Sequence, residues 1–314
     1  MKKKRVFLKI FFRVDNVNIM HYNTNDYNFN KERIFKMKTL KRIVIAVMAL
    51  TLILGCFAGC ANDTATGGET KDKLVMATNA AFPPYEFKDD SGAFAGIDVE
   101  LAQKLAEKLG LELEIQDVEF GSIVGGVQSG KYDVGIAGMT VTDERLESVN
   151  FSDSYATGIQ VVIVKEDSEY ASYEDFYTGY TKNEDGEDVP AGVKEGIKIG
   201  VQQDTTGDIY SSSDAAEWGF GKDNVERYKT GADAVQALLT GKVTAVIIDN
   251  EPAKNFVAAN EGLKILESEY ILENYAIAIN KDNKDLLDKV NAAISEFKAD
   301  GTLDAIINKY IPAE

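Results

Sequence analysis

From residue 74 to the C-terminus, short apolar runs alternate with amphipathic segments of helical period, and this alternation constrains the fold more than any other feature. Short runs bounded by Gly, Pro or Asn read as strands, and segments with apolar residues three or four apart read as helices. Strands separated by helices make largely parallel sheets, the α/β class. The first run, residues 74–78, leads into Asn79-Ala80-Ala81-Phe82-Pro83-Pro84-Tyr85-Glu86-Phe87. The proline pair stops the strand and stiffens a loop rich in aromatic residues. Such loops usually pack locally, yet the C-terminal ends of strands are where open α/β sheets hold ligands. Leu101, Leu105 and Leu109 then repeat at helical spacing, with Asp98 placed to cap the helix and Gly110 to end it. Residues 111–118 alternate as a strand, residues 123–129 read as a short apolar helix, and residues 158–165 as a β-branched strand.

The stretch 128–152, QSGKYDVGIAGMTVTDERLESVNFS, holds the first candidate site. Residues 132–137 read as a buried strand, Gly138-Met139-Thr140 as a tight turn, and Thr142-Asp143-Glu144 as a capped helix start. Arg145 breaks the pattern, because a cation in the first turn opposes the helix dipole by roughly 0.3–1 kcal/mol. An incoming carboxylate would meet the guanidinium fork, free backbone N–H groups and the Thr140 hydroxyl. The plainer alternative pairs Arg145 with Asp143, Glu144 or Glu147 on a solvated face.

Charge divides the chain. Residues 1–60 hold 12 of the 34 basic residues and 3 of the 51 acidic ones, so residues 61–314 carry a net charge of −26. Such a field disfavours nucleic acid and anionic lipid surfaces as partners. Both cysteines, Cys56 and Cys60, and the single histidine, His21, lie in that first part. The remainder therefore has no disulfide, no thiol or imidazole catalyst and no His- or Cys-ligated zinc. No calcium-loop pattern occurs either, and we expect neither metal nor cofactor. Within 1–60, Met37, Lys38, Lys41 and Arg42 precede an apolar run at 43–54 that is short for a membrane span. This reads as a secretory signal over 37–59. Phe57-Ala58-Gly59-Cys60 then resembles a bacterial lipobox, making Cys60 the expected lipid anchor ahead of a polar linker to residue 72; Cys56 is a weaker choice. Residues 1–36 fit no part of a signal and read as an extension from a start assigned too early, or else as a cytoplasmic segment.

GIDVELAQKLAEKLG, followed by EFGSIVGGVQSGKYDVGIAGMTVTDERLESVNFSDSY, resembles the signature of the bacterial extracellular solute-binding proteins of the polar amino-acid family, and the likeness runs from about 73 to 311. It implies two α/β lobes joined by two hinge crossings, with one amino acid bound between them. It also implies a monomer that serves an ABC transporter permease, held to the outside of the cell membrane by its lipidated cysteine. The lobes would be 73–165 with 270–314, and 166–269, with crossings near 165–168 and 267–272. Strands at 197–202 and 243–248, a helix over Gly231–Leu239, a returning strand at 275–279 and helices at 283–298 and 302–309 fit that layout. One departure is an acidic insertion at about 177–194, expected to be a solvated surface hairpin or loop without a docking role.

By resemblance, Arg145 grips the ligand α-carboxylate with help from Thr140 and Thr206, while Asp249 and the Gly138 carbonyl receive the α-ammonium. Phe82 and Phe120 flank the ligand side chain, and Asn79 and Gln202 tune its selection. Each has a structural alternative: Asp249 and Thr206 as helix caps, Phe120 as core. The neutral amide at Asn79, where relatives for cationic ligands have an acid, points to a polar uncharged ligand such as glutamine. A sensor without transport, or an enzyme like the cyclohexadienyl dehydratases using Glu86 or Glu251, are the competing readings.

Overall fold

The computed structural model describes residues 72–312 and, apart from them, an antiparallel hairpin of Phe11–Val14 with Val17–Met20. The signal at 37–59, Cys60 and its linker to residue 71, and the rest of the 1–36 segment lie outside the described residues. Residues 71–314 form one unit, built as a two-lobed α/β fold.

In the first lobe the strands are β1 (Lys73–Thr78), β2 (Glu112–Asp117), β3 (Val134–Gly135) and β4 (Val149–Phe151), joined by a returning strand near the C-terminus. β1 is parallel to both β2 and β3. Side chains alternate across β1, as the pleat requires. Leu74 and Met76 enter a core with Leu101, Leu105, Val134 and Ile294, while Ala77 faces Ile123, Val127 and Met139 on the other side. Helix α1 (Ile97–Leu109) buries the leucine stripe read from sequence and ends at Gly110, whose φ of 70° lets its N–H reach the carbonyls of Ala106 and Glu107. The capping role expected of Asp98 is not what it does. Gly96 occupies the cap position, and Asp98 turns inward, fully buried, to accept the Gly138 N–H at 2.7 Å and the Tyr155 hydroxyl at 2.8 Å. This carboxyl fastens the start of α1 to the turn at residues 138–140, which fixes one wall of the site. Helices α2 (Ile123–Gln128) and α3 (Asp143–Ser148) follow as expected, with the Thr142 hydroxyl accepting from the Arg145 backbone N–H.

The second lobe is organised around β5 (Ala156–Lys165), the longest strand. Val162 and Val164 enter a core with Phe176, Ile199, Val201 and Ile247; Val161 and Ile163 enter another with Val235, Leu238 and Val246. Beyond it come a small hairpin, β6 (Tyr180–Lys182) with β7 (Asp188–Pro190), then β8 (Ile199–Gln202), helix α4 (Thr206–Ser212), β9 (Val225–Tyr228), helix α5 (Gly231–Leu239), β10 (Ala245–Asp249), helix α6 (Asn250–Ala259) and β11 (Leu263–Ile265). β8 is parallel to β9 and β10, whereas β5 is antiparallel to β10 and β11. This sheet is therefore less parallel than the alternation suggested, because a strand arriving straight from the other lobe enters it in the opposite sense.

The returning strand expected at 275–279 is two strands. β12 (Ile271–Tyr275) runs antiparallel to residues 156–160 of β5, and β13 (Ala278–Asn280) inserts between β3 and β4 of the first sheet. β5 thus pairs with β12 over residues 156–160 and with β10 and β11 over 160–165, just ahead of the crossing expected at 165–168. Residues 161–165 already pack in the second lobe's sheet, since the β-branched run continues from one lobe to the other without a turn. Likewise the strand expected over 132–137 is paired only at Val134–Gly135. Helices α7 (Lys284–Ala299) and α8 (Thr302–Tyr310) complete the first lobe.

The insertion at 177–194 forms the β6–β7 hairpin, with Tyr180 half exposed. It is less solvated than its composition indicated. Tyr177 and Val189 are buried, and the Tyr177 hydroxyl donates to the Trp218 carbonyl at 2.7 Å.

Candidate functional site

Arg145 is buried, at 7% exposure, and forms no ion pair among the described residues. The solvated pairing with Asp143, Glu144 or Glu147 is thereby excluded. Its guanidinium donates to the Thr140 carbonyl at 2.8 Å and, across the lobes, to the Asp204 carbonyl at 3.1 Å. It also lies over the Phe120 ring, 5.2 Å from the centroid. Burial pushes its pKa down, opposed by the charges of Glu273, Tyr210, Glu144 and Asp249, though a guanidinium stays protonated.

Asp249 ends β10, at the first-lobe-facing end of a parallel strand. It occupies the cap position of α6 yet makes no capping hydrogen bond. Its carboxylate instead accepts from the Tyr275 hydroxyl and from Gln160 Nε2 at 2.9 Å. The same Nε2 donates to Glu273 Oε2 at 2.9 Å. Burial, followed by the neighbouring Glu273 carboxyl, raises the Asp249 pKa well above the usual carboxylate range. Thr206 is likewise not the cap of its helix. Thr205 takes that role, accepting from the Asp208 N–H, and the buried Thr206 hydroxyl sits 3.5 Å from that of Thr140 on the other lobe.

Two further contacts join the lobes at this level. Gln202 Nε2 donates to Asn79 Oδ1 at 2.9 Å, while Asn79 Nδ2 donates to the Val118 carbonyl at 2.8 Å. Lys229 and Glu119 pair at 2.7 Å on the rim. Phe82 packs beside Gly138, where a Cβ would come within 3.1 Å of its ring, and it also touches the second lobe's apolar cluster. A buried guanidinium on one lobe and a buried carboxyl on the other thus lie at the level where the two lobes touch.

A family model for bacterial extracellular solute-binding proteins, family 3, matches residues 74–313. The chain belongs to that family. This solute-binding protein is 30% identical over 272 residues to the arginine-binding extracellular protein ArtP of Bacillus subtilis, covering 84% of this chain and 98% of the relative. Among solved structures it resembles the P235GK mutant of ArgBP from T. maritima, with TM-score 0.66, 35% identity and coverage of 77% and 96%. It also resembles an ancestral arginine-binding protein bound to glutamine, with TM-score 0.66, 36% identity and coverage of 77% and 99%.

Of the nine residues singled out from the sequence of this solute-binding protein, Thr140 and Thr206 meet across the lobes, as do Asn79 and Gln202; Arg145 bonds the Thr140 carbonyl and lies over Phe120, Phe82 packs beside Gly138, and Asp249 is held by Gln160 and Tyr275. Residues missed by sequence reasoning are Gln160, Glu273 and Tyr275, which surround Asp249. A polar residue inside a β-branched run was the available signal for Gln160. Glu86, considered as an acid or base, is 1% exposed and paired with Asp98, and Glu251 holds Lys254 at 2.8 Å.

The Glu86–Asp98 pair predicts an unusual pH dependence. Burial raises Glu86 well above its normal range and Asp98 to about 6. The folded state then binds protons that the unfolded chain releases, so this contribution to stability is full below the unfolded carboxyl pKa and is lost as pH rises through the folded values. The ligand-free protein should be more stable at pH 5 than at pH 7.5, by on the order of 1–3 kcal/mol. Glu86→Gln, which keeps a donor toward Asp98, should flatten that difference in urea unfolding at the two pH values; an unchanged difference would assign it elsewhere.

Proposed function

We propose that this protein is a non-enzymatic receptor, anchored outside the cytoplasm through a lipid on Cys60, that closes its two lobes on a polar amino acid and delivers it as a monomer to an ABC importer. The observation that carries this reading is the opposed pair of buried ionisable groups, Arg145 on one lobe and Asp249 on the other, with no ion-pair partner among the described residues. A zwitterion satisfies both. The Arg145 fork has more donors than its two carbonyl partners use, so it takes the α-carboxylate, with the Thr140 and Thr206 hydroxyls beside it. Asp249 and the Gly138 carbonyl receive the α-ammonium, and Phe82 and Phe120 line the side-chain end. Because the ligand bridges groups on both lobes, it binds the closed arrangement better and shifts the population toward it. The lobe limits follow the sheets, with the two connections running within β5 and β12.

Asn79 and Gln202 stand at the side-chain end, where their neutrality suggested glutamine. They hydrogen-bond each other across the lobes, which accounts for two amides without a ligand, and glutamine loses that support. Some relatives are named for arginine, others for cystine or histidine, and an ancestral arginine-binding protein is seen with glutamine, so a polar amino acid is the common denominator.

A thermal-shift screen of the purified, refolded protein against the amino acids, dicarboxylates and simple sugars tests the reading. A ligand at 100 times its Kd adds about 2.7 kcal/mol to the folded state, enough to raise Tm by several degrees. One or a few amino acids should do so. A response to sugars or dicarboxylates alone would overturn the assignment.

A further inference from the structure

We infer that Glu86 is a positioning residue for the ligand: its bond to Asp98 fastens the hairpin that carries Phe82 to the turn that carries Gly138 and Thr140. This rests on the receptor reading above and adds what holds the first lobe's half of the site in shape.

Glu86 is 1% exposed and opens a short strand, Glu86–Lys88, whose antiparallel register sets it opposite Phe82. Asp98, fully buried at the start of α1, already has both oxygens engaged. Its Oδ2 accepts from the Gly138 N–H at 2.7 Å and its Oδ1 from the Tyr155 hydroxyl at 2.8 Å. The Glu86 carboxyl adds a third hydrogen bond. Two carboxyls bond each other only when one carries a proton. Here Glu86 is the donor, because the shared bond favours the ionised form of Asp98 and the neutral form of Glu86.

Stability gives no reason for an acid at this position. Apart from Asp98, the buried Glu86 Oε2 has no hydrogen-bond partner, and the charges that bear on Glu86 are those of two acids, Asp98 and Asp249. An apolar side chain of the same size would avoid that desolvation. What the acid supplies is a link. Phe82 and Gly138 are neighbours, since a Cβ on Gly138 would stand 3.1 Å from the Phe82 ring. The hairpin presents Phe82 from one side and Asp98 holds Gly138 from the other, so the Glu86–Asp98 bond closes a ring of contacts through all four residues. The same turn continues to Thr140, whose carbonyl takes the Arg145 guanidinium. Breaking the ring at Glu86 leaves each piece folded but lets Phe82 and the Gly138 turn shift apart, and small displacements of positioning groups are expensive.

Two variants separate this role from plain packing. Glu86→Gln keeps a donor toward Asp98, whereas Glu86→Met keeps the approximate volume and removes the donor. Calorimetry at pH 7.5 with arginine, histidine, glutamine and cystine as probes gives affinity, and urea unfolding of the same samples gives stability. For each probe that binds the parent, Glu86→Gln should keep the affinity within about threefold and Glu86→Met should lower it roughly tenfold or more. Glu86→Met should nevertheless be at least as stable as the parent. Affinity and stability then move independently, which a packing role does not produce. The inference is overturned if Glu86→Met binds like the parent, if both variants lose affinity equally, or if Glu86→Met loses stability along with affinity. Each of those outcomes leaves the receptor reading intact, because the parent still binds. A parent that binds none of the probes in this assay, and no amino acid in the thermal-shift screen, would overturn that reading and this inference together.

Discussion

Arg145→Ala lowers amino-acid affinity by roughly a thousandfold or more, the loss of a fully desolvated charged anchor, while the protein still folds. Among the described residues the guanidinium hydrogen-bonds the Thr140 and Asp204 carbonyls, lies over the Phe120 face and forms no ion pair, so its removal breaks no salt bridge there. Arg145 is the one buried cation among the described residues, so an α-carboxylate entering the alanine variant finds no cation to receive it. Arg145→Lys should recover part of the loss, since an ammonium keeps the charge but not the planar fork. Calorimetry gives the affinities and urea unfolding gives the fold. Affinity of the alanine variant within tenfold of the parent would remove Arg145 from the site.

How far this site could be read from sequence depends on the range of the interaction concerned. Arg145 was legible because its oddity is local: a cation in the first turn of a helix whose Thr142 cap is three residues away. Asp249 was legible as a strand end, but sequence could not separate cap from ligand. Both roles need an Asp at the same position, and the direction of its side chain, toward Tyr275 and Gln160, rules out the cap alone. The surroundings of Asp249 were not legible at all. They depend on the register that places Ala156 opposite Tyr275 and Gly158 opposite Glu273, a pairing of strands more than a hundred residues apart that no local pattern encodes. Asp98 failed for a related reason. At the start of a helix the same residue can cap or turn inward, and the turn at Gly138 that draws it inward lies forty residues on. The insertion shows a different limit: composition gave a solvated hairpin, but the aromatic ring of Tyr177, stacked on Phe220 at 5.4 Å, ties its base into the core.

That same register makes Gly158→Ala the most damaging small substitution at the hinge. A Cβ at this position would stand 2.1 Å from the Tyr275 hydroxyl oxygen, 2.4 Å from its Cζ and 2.8 Å from Asp249 Oδ1. None of these atoms can step aside cheaply. Tyr275 is fully buried and packed edge-on against Tyr85, with centroids 5.1 Å apart, and Asp249 is held by Gln160. The added methyl must either separate Tyr275 from Asp249 or push β5 away from β12, and both routes disturb the connection between the lobes. Overpacking of a close-packed interior costs roughly 1–3 kcal/mol, so a loss of stability of that order is expected in urea unfolding. Affinity should fall by roughly a hundredfold, because the carboxylate that receives the ammonium is displaced from its productive position. Tyr275→Phe separates the two contributions. It removes the hydroxyl donor without adding volume, and should cost less in both stability and affinity than Gly158→Ala. Should Gly158→Ala bind and unfold like the parent, β5 and β12 would have to part at this point more easily than their packing allows.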